Sequence, residues 1–397
     1  MKTGILCILL VLALITGIVA VACETSEEPI KIGALHALTG PMATDESASR
    51  DAIKMALDEV NYEAGGREIQ LIVEDWAMDP AVCLSKTKKL VEMDDVDIII
   101  GPFSSSAGLA IRDYIHENEI LWIPYLCTSP SFIEDSYTKY CFRASYNSGT
   151  QLSAVSAYLA YETRGWRKAA CIALDYKPGH DEVEGFKEVF EALGGEVVQE
   201  IYTPLDATDY GPYVTRIDAD DVDFLWSFHY STYALSLFTA LDEYGITGGL
   251  PVLVACNTFY PHLLSQLGDS ALGIESVSNY ITDLDTPENK RFVQALQDNY
   301  GAEANDFSEH AYVAARMAIL AIEAVDGDVG DVDGMIEALE QAEFEAPRGP
   351  IEFEKHTPVQ NMYHTVVEKV GDGFKATLTG TYTGIGPYWL PPGVEPE

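Results

Sequence analysis

Three observations predict an α/β fold with two lobes, each built on a doubly wound parallel sheet. Short apolar runs that suit buried strands alternate with amphipathic segments that suit helices, as in repeated βαβ units. The alternation begins again at RKAACIALDY, near residue 167. The chain has 397 residues, of which 47% are hydrophobic, and this is enough for two packed cores.

The first series of elements starts at IKIGALHAL, close to residue 30. Its later strands read IQLIVEDW and VDIIIGPF, and its helices read ASRDAIKMALDEVNYEAGG and AVCLSKTKKLVEMD. The first helix has apolar residues at helical spacing from Ala52 to Val60, and the Gly65–Gly66 pair ends it. The isoleucine-rich runs are short and suit buried parallel strands. These elements predict the first sheet.

A second sheet is predicted by the same pattern further along the chain. Its strands read RKAACIALDY, EVVQEIYTPL, DFLWSFHY and LPVLVACNTFY, and its helices read DEVEGFKEVFEALGG and ALSLFTALDEYG. A third section has helices near residues 285–300 and 309–324 and ends in GPIEFEKHTPVQNMYHTVVEKV, which is typical of paired strands. Because no Pro- or Ser-rich linker separates these sections, we expect a hinge of several crossing strands that lets the lobes close on a ligand.

The N-terminus has the features of a secretion signal. Lys2 is followed by an uncharged run at residues 4–22, and the chain turns polar directly after Cys23. The small residues before Cys23 resemble a lipobox, although Ala20 stands where that motif has Leu, Val or Ile. We predict a lipoprotein signal peptide at residues 1–22 and an acylated Cys23 that tethers the protein to the outer face of the cytoplasmic membrane. The alternative is an uncleaved leader, because the run is just long enough to span a bilayer.

Charge and cysteine usage exclude several classes of protein. With 63 acidic and 24 basic residues the net charge is −39, which excludes nucleic acid as a partner because phosphate binding depends on clustered Lys and Arg. No C-x-x-C or H-E-x-x-H spacing occurs, so no metal site is predicted. The cysteines after Cys23 are expected to be buried thiols. A Cys127–Cys141 disulfide is the alternative in this compartment.

No motif predicts catalysis or a cofactor. The sequence lacks the G-x-S-x-G nucleophile elbow, the G-x-x-x-x-G-K-[ST] phosphate loop and the G-x-G-x-x-G dinucleotide fingerprint. We interpret Glu74, Asp75 and Asp79 in VEDWAMDP as a solvated turn at a strand end rather than as an acid–base pair. The sequence therefore predicts a binding protein without a cofactor, and not an enzyme.

Hydroxyl side chains follow two successive predicted strands. Ser104, Ser105 and Ser106 follow IIIGPF, and Thr128 and Ser129 follow ILWIP in the next strand. Ligands of open α/β sheets bind beyond the carboxyl ends of the strands, where helix N-termini supply unpaired N–H groups. Serine is also a preferred N-cap residue. These residues can therefore cap helices, bind an anionic ligand, or divide the two roles among neighbours.

Nine short segments occur in an order and spacing that resembles one family, the solute-binding proteins of branched-chain amino acid-type ABC transporters, which have the type I periplasmic binding fold. They read IKIGALHALTGP, ALDEVNYEAGG, LIVEDWAMDP, IIIGPFSSSA, ILWIPYLCTSP, YCFRAS, FEALGGEVV, TDYGPYV and APRGPIEF. The resemblance covers about residues 30–372 and implies two lobes joined by three crossovers. The implied bounds are residues 30–146 and 277–350 for lobe 1 and residues 147–276 and 351–397 for lobe 2. The resemblance also implies a monomer that delivers a small-molecule ligand to membrane permease and ATPase subunits.

Position by position, the resemblance also implies where the ligand binds. Ser104 and Thr128 fall where family members bind the ligand's carboxylate, with main-chain groups near Ser105 and Leu126 contributing. We therefore expect one end of the site to recognise an anion.

Four further residues are candidates from other parts of the site. Tyr176 and Tyr230 fall near lobe 2 positions that close over the ligand, and packing in the core or at the rim is the alternative role for both. His36 and Asp45 lie on the first strand-end loop, where either ligand contact or solvent exposure is expected.

One position departs from the pattern of the family. Amino-acid binders place an acidic residue after the strand that corresponds to LPVLVACNTFY, where it pairs with the ligand's ammonium, but here the matching residues are Cys256 and Asn257. A buried ammonium without a counter-charge is unfavourable by several kcal/mol, so we expect an aromatic or other organic acid rather than a branched-chain amino acid. The alternatives are a ligand-sensing module of the same fold that reports to a membrane receptor, and a secreted hydrolase that uses Ser104 or Ser105.

Overall fold

The computed structural model describes residues 28–256 and 259–395. The predicted signal peptide, Cys23 and Asn257 lie outside these residues. None of the helices in these residues has the length and apolar character that a membrane span requires. The described chain forms two α/β lobes whose sheets are mixed but mostly parallel, which confirms the predicted fold class.

The first sheet contains β1 (Ile30–His36), β2 (Glu63–Ala64), β3 (Arg67–Asp75), β4 (Ile98–Ile100) and β5 (Leu121–Ile123). Their spatial order is β2-β3-β1-β4-β5. The central strand β1 pairs in parallel with β3 and β4, so that Ile32 lies beside Leu71 and Ile98. Because β5 is also parallel to β4, the carboxyl ends of β1, β4 and β5 meet at the same edge of the sheet.

Helices connect these strands and cover the sheet. They are α1 (Ala43–Glu59), α2 (Pro80–Glu92) and α3 (Ser105–Glu117), with a 3₁₀ segment at Pro130–Ile133. Gly101 allows the turn from β4 towards α3, because its φ is +86° and a Cβ atom there would lie 2.5 Å from the carbonyl oxygen of Leu35. The indole Nε1 of Trp122 on β5 donates to the carbonyl of Gly101 at 2.6 Å, which ties the two strand ends together.

The second sheet is larger and has a parallel and an antiparallel part. Its parallel strands are β6 (Lys168–Leu174), β7 (Glu196–Thr203), β8 (Phe224–Phe228), β9 (Val252–Ala255) and β10 (Glu275–Ser278). Its antiparallel strands are β11 (Phe344–Ala346), β12 (Gly349–Glu354), β13 (Thr357–Val370) and β14 (Gly373–Ile385). The predicted paired-strand tail is therefore confirmed.

Helices of the second half divide between the two sheets. The helices of the first group alternate along the chain with the parallel strands of the second sheet. They are α4 (Leu152–Tyr158), α5 (Lys177–Ala192), α6 (Gly211–Val214), α7 (Ser231–Glu243) and α8 (Pro261–Leu267), with a π-helical turn at Leu159–Thr163. The second group consists of α9 (Pro287–Tyr300), α10 (Asp306–Ala324) and α11 (Val332–Glu340). In this group α10 packs mainly against α1, so the chain returns to the first sheet after β10.

Strand β13 runs from one lobe towards the other. Near its start, the amide of Arg143 donates to the carbonyl of His356 at 2.9 Å, close to the edge strand β5. Further along, β13 pairs with β10 of the second sheet, where Tyr363 lies beside Ser278. The residue bounds of the two lobes that the resemblance implies stay a prediction.

The cysteines in the described residues are buried. Cys127 and Cys141 remain thiols, so the alternative of a disulfide between them is wrong. The Cys127 thiol donates instead to the carbonyls of Pro102 and Ser104, at 3.4 and 3.2 Å. Gly108 is needed beside it, because a Cβ atom at that position would lie 2.7 Å from the Cys127 sulfur.

Candidate ligand-binding site

A cavity lies between the carboxyl ends of the two sheets. Residues of both lobes line it: Phe103, Ser104, Ser105, Leu126, Thr128, Tyr146, Tyr176, Pro178, Phe228, Tyr230, Cys256, Asp306 and Phe307. The structure thus brings together seven of the ten residues that the sequence predicted for the site, which are Ser104, Ser105, Leu126, Thr128, Tyr176, Tyr230 and Cys256.

Ser104 is the N-cap residue of α3, but its hydroxyl makes no capping hydrogen bond. Its carbonyl accepts the first helical hydrogen bond, from the amide of Gly108 at 2.8 Å. The first-turn N–H groups of a helix have no intrahelical partner, and together with the helix dipole they favour an anion. The Ser104 hydroxyl and the start of α3 therefore offer donors to an anionic ligand.

Ser105 has a different function from its neighbour. Its buried hydroxyl oxygen accepts hydrogen bonds from the amides of Thr128 and Ser129, at 3.0 and 3.1 Å. This side chain therefore joins the loop after β4 to the loop after β5. The three serines divide their roles, because Ser104 faces the cavity, Ser105 holds the loops together and Ser106 is exposed.

Thr128 lies on the cavity wall with its side chain held from behind. The hydroxyl of Ser148 donates to Thr128 Oγ1 at 2.7 Å, which leaves the Thr128 proton available to a ligand. The Thr128 carbonyl accepts from the amide of Ser148 at 2.7 Å and from the Arg143 guanidinium at 3.1 Å. These contacts fix the position of the hydroxyl before any ligand arrives.

Arg143 is a buried cation directly behind this loop. Its guanidinium donates to the carbonyls of Thr128 and Ser129, at 3.1 and 3.0 Å, and to the hydroxyl of Thr357. None of these three acceptors carries a charge. Burial lowers the pKa of the guanidinium to about 10, so it remains protonated at neutral pH. The Thr128–Ser129 segment therefore separates a buried positive charge from the cavity.

Aromatic rings form most of the rest of the cavity wall. Tyr176 and Tyr230 are the N-cap residues of α5 and α7, and their ring centroids lie 6.5 Å apart in an edge-on arrangement. Tyr230 also approaches Phe307 at 6.2 Å, and Phe307 packs edge-on against Phe103 at 5.5 Å. This row of rings crosses from one lobe to the other and offers flat apolar surface to a ligand.

Asp306 is the first residue of α10 and also lines the cavity. The hydroxyl of Tyr260, from the opposite lobe, donates to its Oδ1 atom. Burial raises the pKa of the Asp306 carboxyl to about 7. The sequence interpretation missed this residue, because NDFSEH shows only a helix start, at which Asn305 and Ser308 form a capping box.

Hydrogen bonds between the lobes show that the described conformation is closed. Besides the Tyr260–Asp306 contact, Ser129 Oγ donates to Asp181 Oδ2 at 3.2 Å. Ser231 Oγ donates to Asp45 Oδ2 at 2.8 Å. Each bond joins a residue that follows the first sheet, or packs against it, to one that follows the second.

His36 and Asp45 do not line the cavity. His36 is buried in the first lobe, where its Nδ1 lies 3.1 Å from the Tyr125 hydroxyl and 3.4 Å from Glu46 Oε2. Asp45 is buried between the lobes, where it accepts from Ser231 and from Asn305 at 3.0 Å. His36 is the last residue of β1 and Asp45 lies in the first turn of α1, so the predicted position of both on the loop after β1 is wrong, and neither is exposed to solvent.

Comparisons with known proteins extend what the geometry shows. The family model for periplasmic binding proteins matches residues 29–373. The chain belongs to the periplasmic binding protein family.

An ABC transporter substrate-binding protein from Sphaerobacter thermophilus has a structure similar to this chain, with a TM-score of 0.85 and 32% sequence identity over 91% of this chain and 99% of that one. An R. palustris ABC transporter solute-binding protein in complex with 4-hydroxybenzoate has a TM-score of 0.85 and 26% identity, over 91% and 99% of the two chains. Leu/Ile/Val-binding protein homolog 6 of Brucella suis is 26% identical over 351 residues, which cover 87% of this chain and 89% of that protein.

These relatives confirm the resemblance that the sequence showed. This periplasmic binding protein is the solute-binding component of an ABC transporter. Such proteins act outside the cytoplasm, bind small molecules and work with permease and ATPase subunits in the membrane.

Proposed function

We propose that this protein is a lipid-anchored component of an ABC importer and that it captures an aromatic carboxylic acid between its lobes. The cavity carries this proposal, because it combines strand-end hydroxyls at a helix N-terminus with a row of aromatic rings. A ligand that matches both features has an anionic group attached to a flat apolar body.

The anionic group is assigned to the hydroxyls of Ser104 and Thr128. The Thr128 hydroxyl is held by Ser148, and the buried charge of Arg143 lies one peptide group behind Thr128. The net charge of −39 does not oppose this, because surface charges beyond about 8 Å are largely screened at physiological salt. Local donors therefore determine the affinity for the anion.

The apolar body is assigned to the space between Phe103, Phe307, Tyr176 and Tyr230. Aromatic pairs with edge-on geometry contribute about 0.5–1.5 kcal/mol beyond the apolar area that they bury. The R. palustris protein that was solved with 4-hydroxybenzoate supports an aromatic acid as the ligand class. The Brucella suis relative, named for leucine, isoleucine and valine, represents the competing class.

Acylation of Cys23 would hold the protein at the membrane, while the lobes, with the bounds given above, open and close around the ligand. The protein is proposed to act without catalysis, since the hydroxyl of Ser105 accepts from two backbone amides and so serves as a structural link rather than a nucleophile.

Calorimetric titration tests the ligand class. We expect benzoate or a substituted benzoate to bind at least tenfold more tightly than leucine, isoleucine or valine. Tight binding of a branched-chain amino acid, together with no heat from any aromatic acid, would refute the proposed ligand. Thermal unfolding is an independent check, since a ligand present at 100 times its Kd stabilises the folded state by about 2.7 kcal/mol.

A further inference from the structure

Asp306 places a carboxyl on a cavity wall that otherwise consists of hydroxyls, rings and other uncharged groups. Among the described side chains, only Tyr260 donates to this carboxyl, and it does so at Oδ1. A carboxyl has two oxygens and about four acceptor positions. The backbone amides of Asp306 and Phe307 also donate to this carboxyl, so Asp306 retains about one acceptor position for a ligand group.

This carboxyl and the anion-binding hydroxyls come from different elements of the chain. Ser104 and Thr128 follow β4 and β5, whereas Asp306 begins α10, and no hydrogen bond within the described chain links them. The carboxyl and the hydroxyls are also next to different hydrogen bonds between the lobes. Ser129, which follows Thr128, bonds to Asp181, whereas Asp306 bonds to Tyr260. A ligand that satisfies both needs polar groups at two positions.

The arrangement favours a hydroxyl over an ammonium as the second ligand group. An α-amino acid carries its ammonium and carboxylate on one carbon, so one polar cluster would have to serve both groups. The α-ammonium also has three protons to satisfy. A ring hydroxyl lies on the far side of a flat apolar body from the carboxylate and has one proton to donate. Phe103 and Phe307, the direct neighbours of Ser104 and Asp306 in the chain, supply the rings that such a body would contact.

We propose that Asp306 determines specificity for a hydroxylated aromatic carboxylate, whose carboxylate binds Ser104 and Thr128 and whose ring hydroxyl donates to Asp306. This inference rests on the proposed function. It adds that unsubstituted benzoate is a poorer ligand, because it would leave the remaining acceptor position of the buried Asp306 carboxyl unfilled.

The test is calorimetric titration of the native protein, Asp306→Ala and Asp306→Asn with benzoate, 3-hydroxybenzoate, 4-hydroxybenzoate and leucine. In the native protein we expect at least one hydroxybenzoate to bind tenfold or more tightly than benzoate. Asp306→Ala should bring this ratio close to one by weakening the hydroxybenzoate and leaving benzoate unchanged or tighter. Asp306→Asn retains an acceptor oxygen and should keep part of the preference. It also replaces Asp306→Ala if that variant does not fold.

The matched control is Asp333→Ala, which removes an exposed carboxyl from the first turn of the neighbouring helix α11. It should leave every affinity unchanged. Equal binding of benzoate and both hydroxybenzoates by the native protein would overturn the role of Asp306, and so would a preference that survives Asp306→Ala. Tight leucine binding that is lost in Asp306→Ala would identify an ammonium partner and overturn the inference. Native protein that binds none of the aromatic acids would refute the proposed function itself.

Discussion

The two walls of the cavity differ in how their side chains are held. On the first lobe, Ser104 and Thr128 lie at strand ends that buried hydrogen bonds connect, through Ser105 and Arg143. On the second lobe, the hydroxyls of Tyr176 and Tyr230 share one hydrogen bond, and the two rings otherwise contact each other and their neighbours through ring edges. One wall is held mainly by hydrogen bonds and the other mainly by ring packing.

This difference indicates that the two walls have different functions in ligand binding. Hydrogen bonds depend steeply on distance and angle, so a wall held by them determines the position and orientation of a charged group. Apolar contacts are proportional to buried area and tolerate small shifts, which suits a wall that moves when the lobes close. We therefore expect changes in the first wall to affect specific ligand groups and changes in the second wall to affect all ligands alike.

The largest effect is expected when both hydroxyls of the first wall are removed. Each hydrogen bond to a charged group contributes about 1.5–3 kcal/mol, so Ser104→Ala combined with Thr128→Ala should weaken binding of an aromatic carboxylate by at least about 100-fold. Calorimetry measures this, and Ser106→Ala is the control because Ser106 is exposed and does not line the cavity. Unchanged affinity in the double variant, with an intact unfolding transition, contradicts the assignment of the anion site.

The next largest effect concerns the buried charge behind that wall. Arg143→Met should weaken binding of benzoate by about tenfold, since one unit charge across a peptide group is worth on the order of 1–2 kcal/mol in a partly polar interior. Binding of the uncharged analogue benzamide should change much less. Arg143→Lys retains the charge and serves as the control.

Equal losses for benzoate and benzamide in Arg143→Met would show that Arg143 acts only on the structure of the loop. The variant should also lower the free energy of unfolding, because the carbonyls of Thr128 and Ser129 lose a buried donor. Comparing the two ligands separates this loss of stability from the electrostatic effect.

A smaller and less selective effect is expected on the second wall. Tyr230→Leu removes the ring contact with Phe307 across the cavity and should weaken every aromatic ligand by about fivefold, since such a pair contributes about 1 kcal/mol. Benzoate and benzamide should lose the same factor in calorimetric titrations. Tyr244→Leu alters an exposed tyrosine outside the cavity and is the control. If Tyr230→Leu weakened the affinity for benzoate but not for benzamide, the different functions assigned to the two walls would be contradicted.

The smallest effect is a dependence on pH. Because burial raises the pKa of Asp306 to about 7 in the closed state, lowering the pH from 8 to 6 neutralises this carboxyl. Benzoate stays anionic over this range, so its affinity should rise by a few-fold as the repulsion disappears. The facing groups are Asp45, whose pKa is also raised by burial, and Tyr260 and Tyr230, which stay protonated because their pKa values are raised.

Two histidines close to these carboxyls also bear on the pH dependence of benzoate binding. The pKa of His262, near Asp45, is raised by its hydrogen bond to Glu303, and the pKa of His310 is lowered by burial so that it stays neutral. Asp306→Asn isolates the contribution of Asp306, because the variant keeps the other titrating groups. If the pH dependence of benzoate affinity is identical in Asp306→Asn and the native protein, then titration of Asp45 or His262 causes it instead.

The order of the main strands and helices and the positions of the strand-end hydroxyls could be predicted from the sequence. Local periodicity is sufficient for this, because a buried parallel strand and an amphipathic helix each follow from a few neighbouring residues. The positions of Ser104 and Thr128 follow as well, since parallel strands end at a common edge and β4 pairs with β5. Both residues lie on the cavity wall, where the sequence placed them.

The distant residues that complete the cavity could not be predicted in this way, because they depend on how the two halves of the chain pack. Asp306 and Phe307 follow Ser104 by about 200 residues in the chain, and they reach the same cavity because α10 packs against α1 after the chain has built the second sheet and returned. His36 shows the same limit, since β1 ends where predicted but its side chain contacts Tyr125 and Glu46 in the interior. Sequence patterns report the local face of each element, whereas a cavity between lobes depends on how elements far apart in the chain pack together.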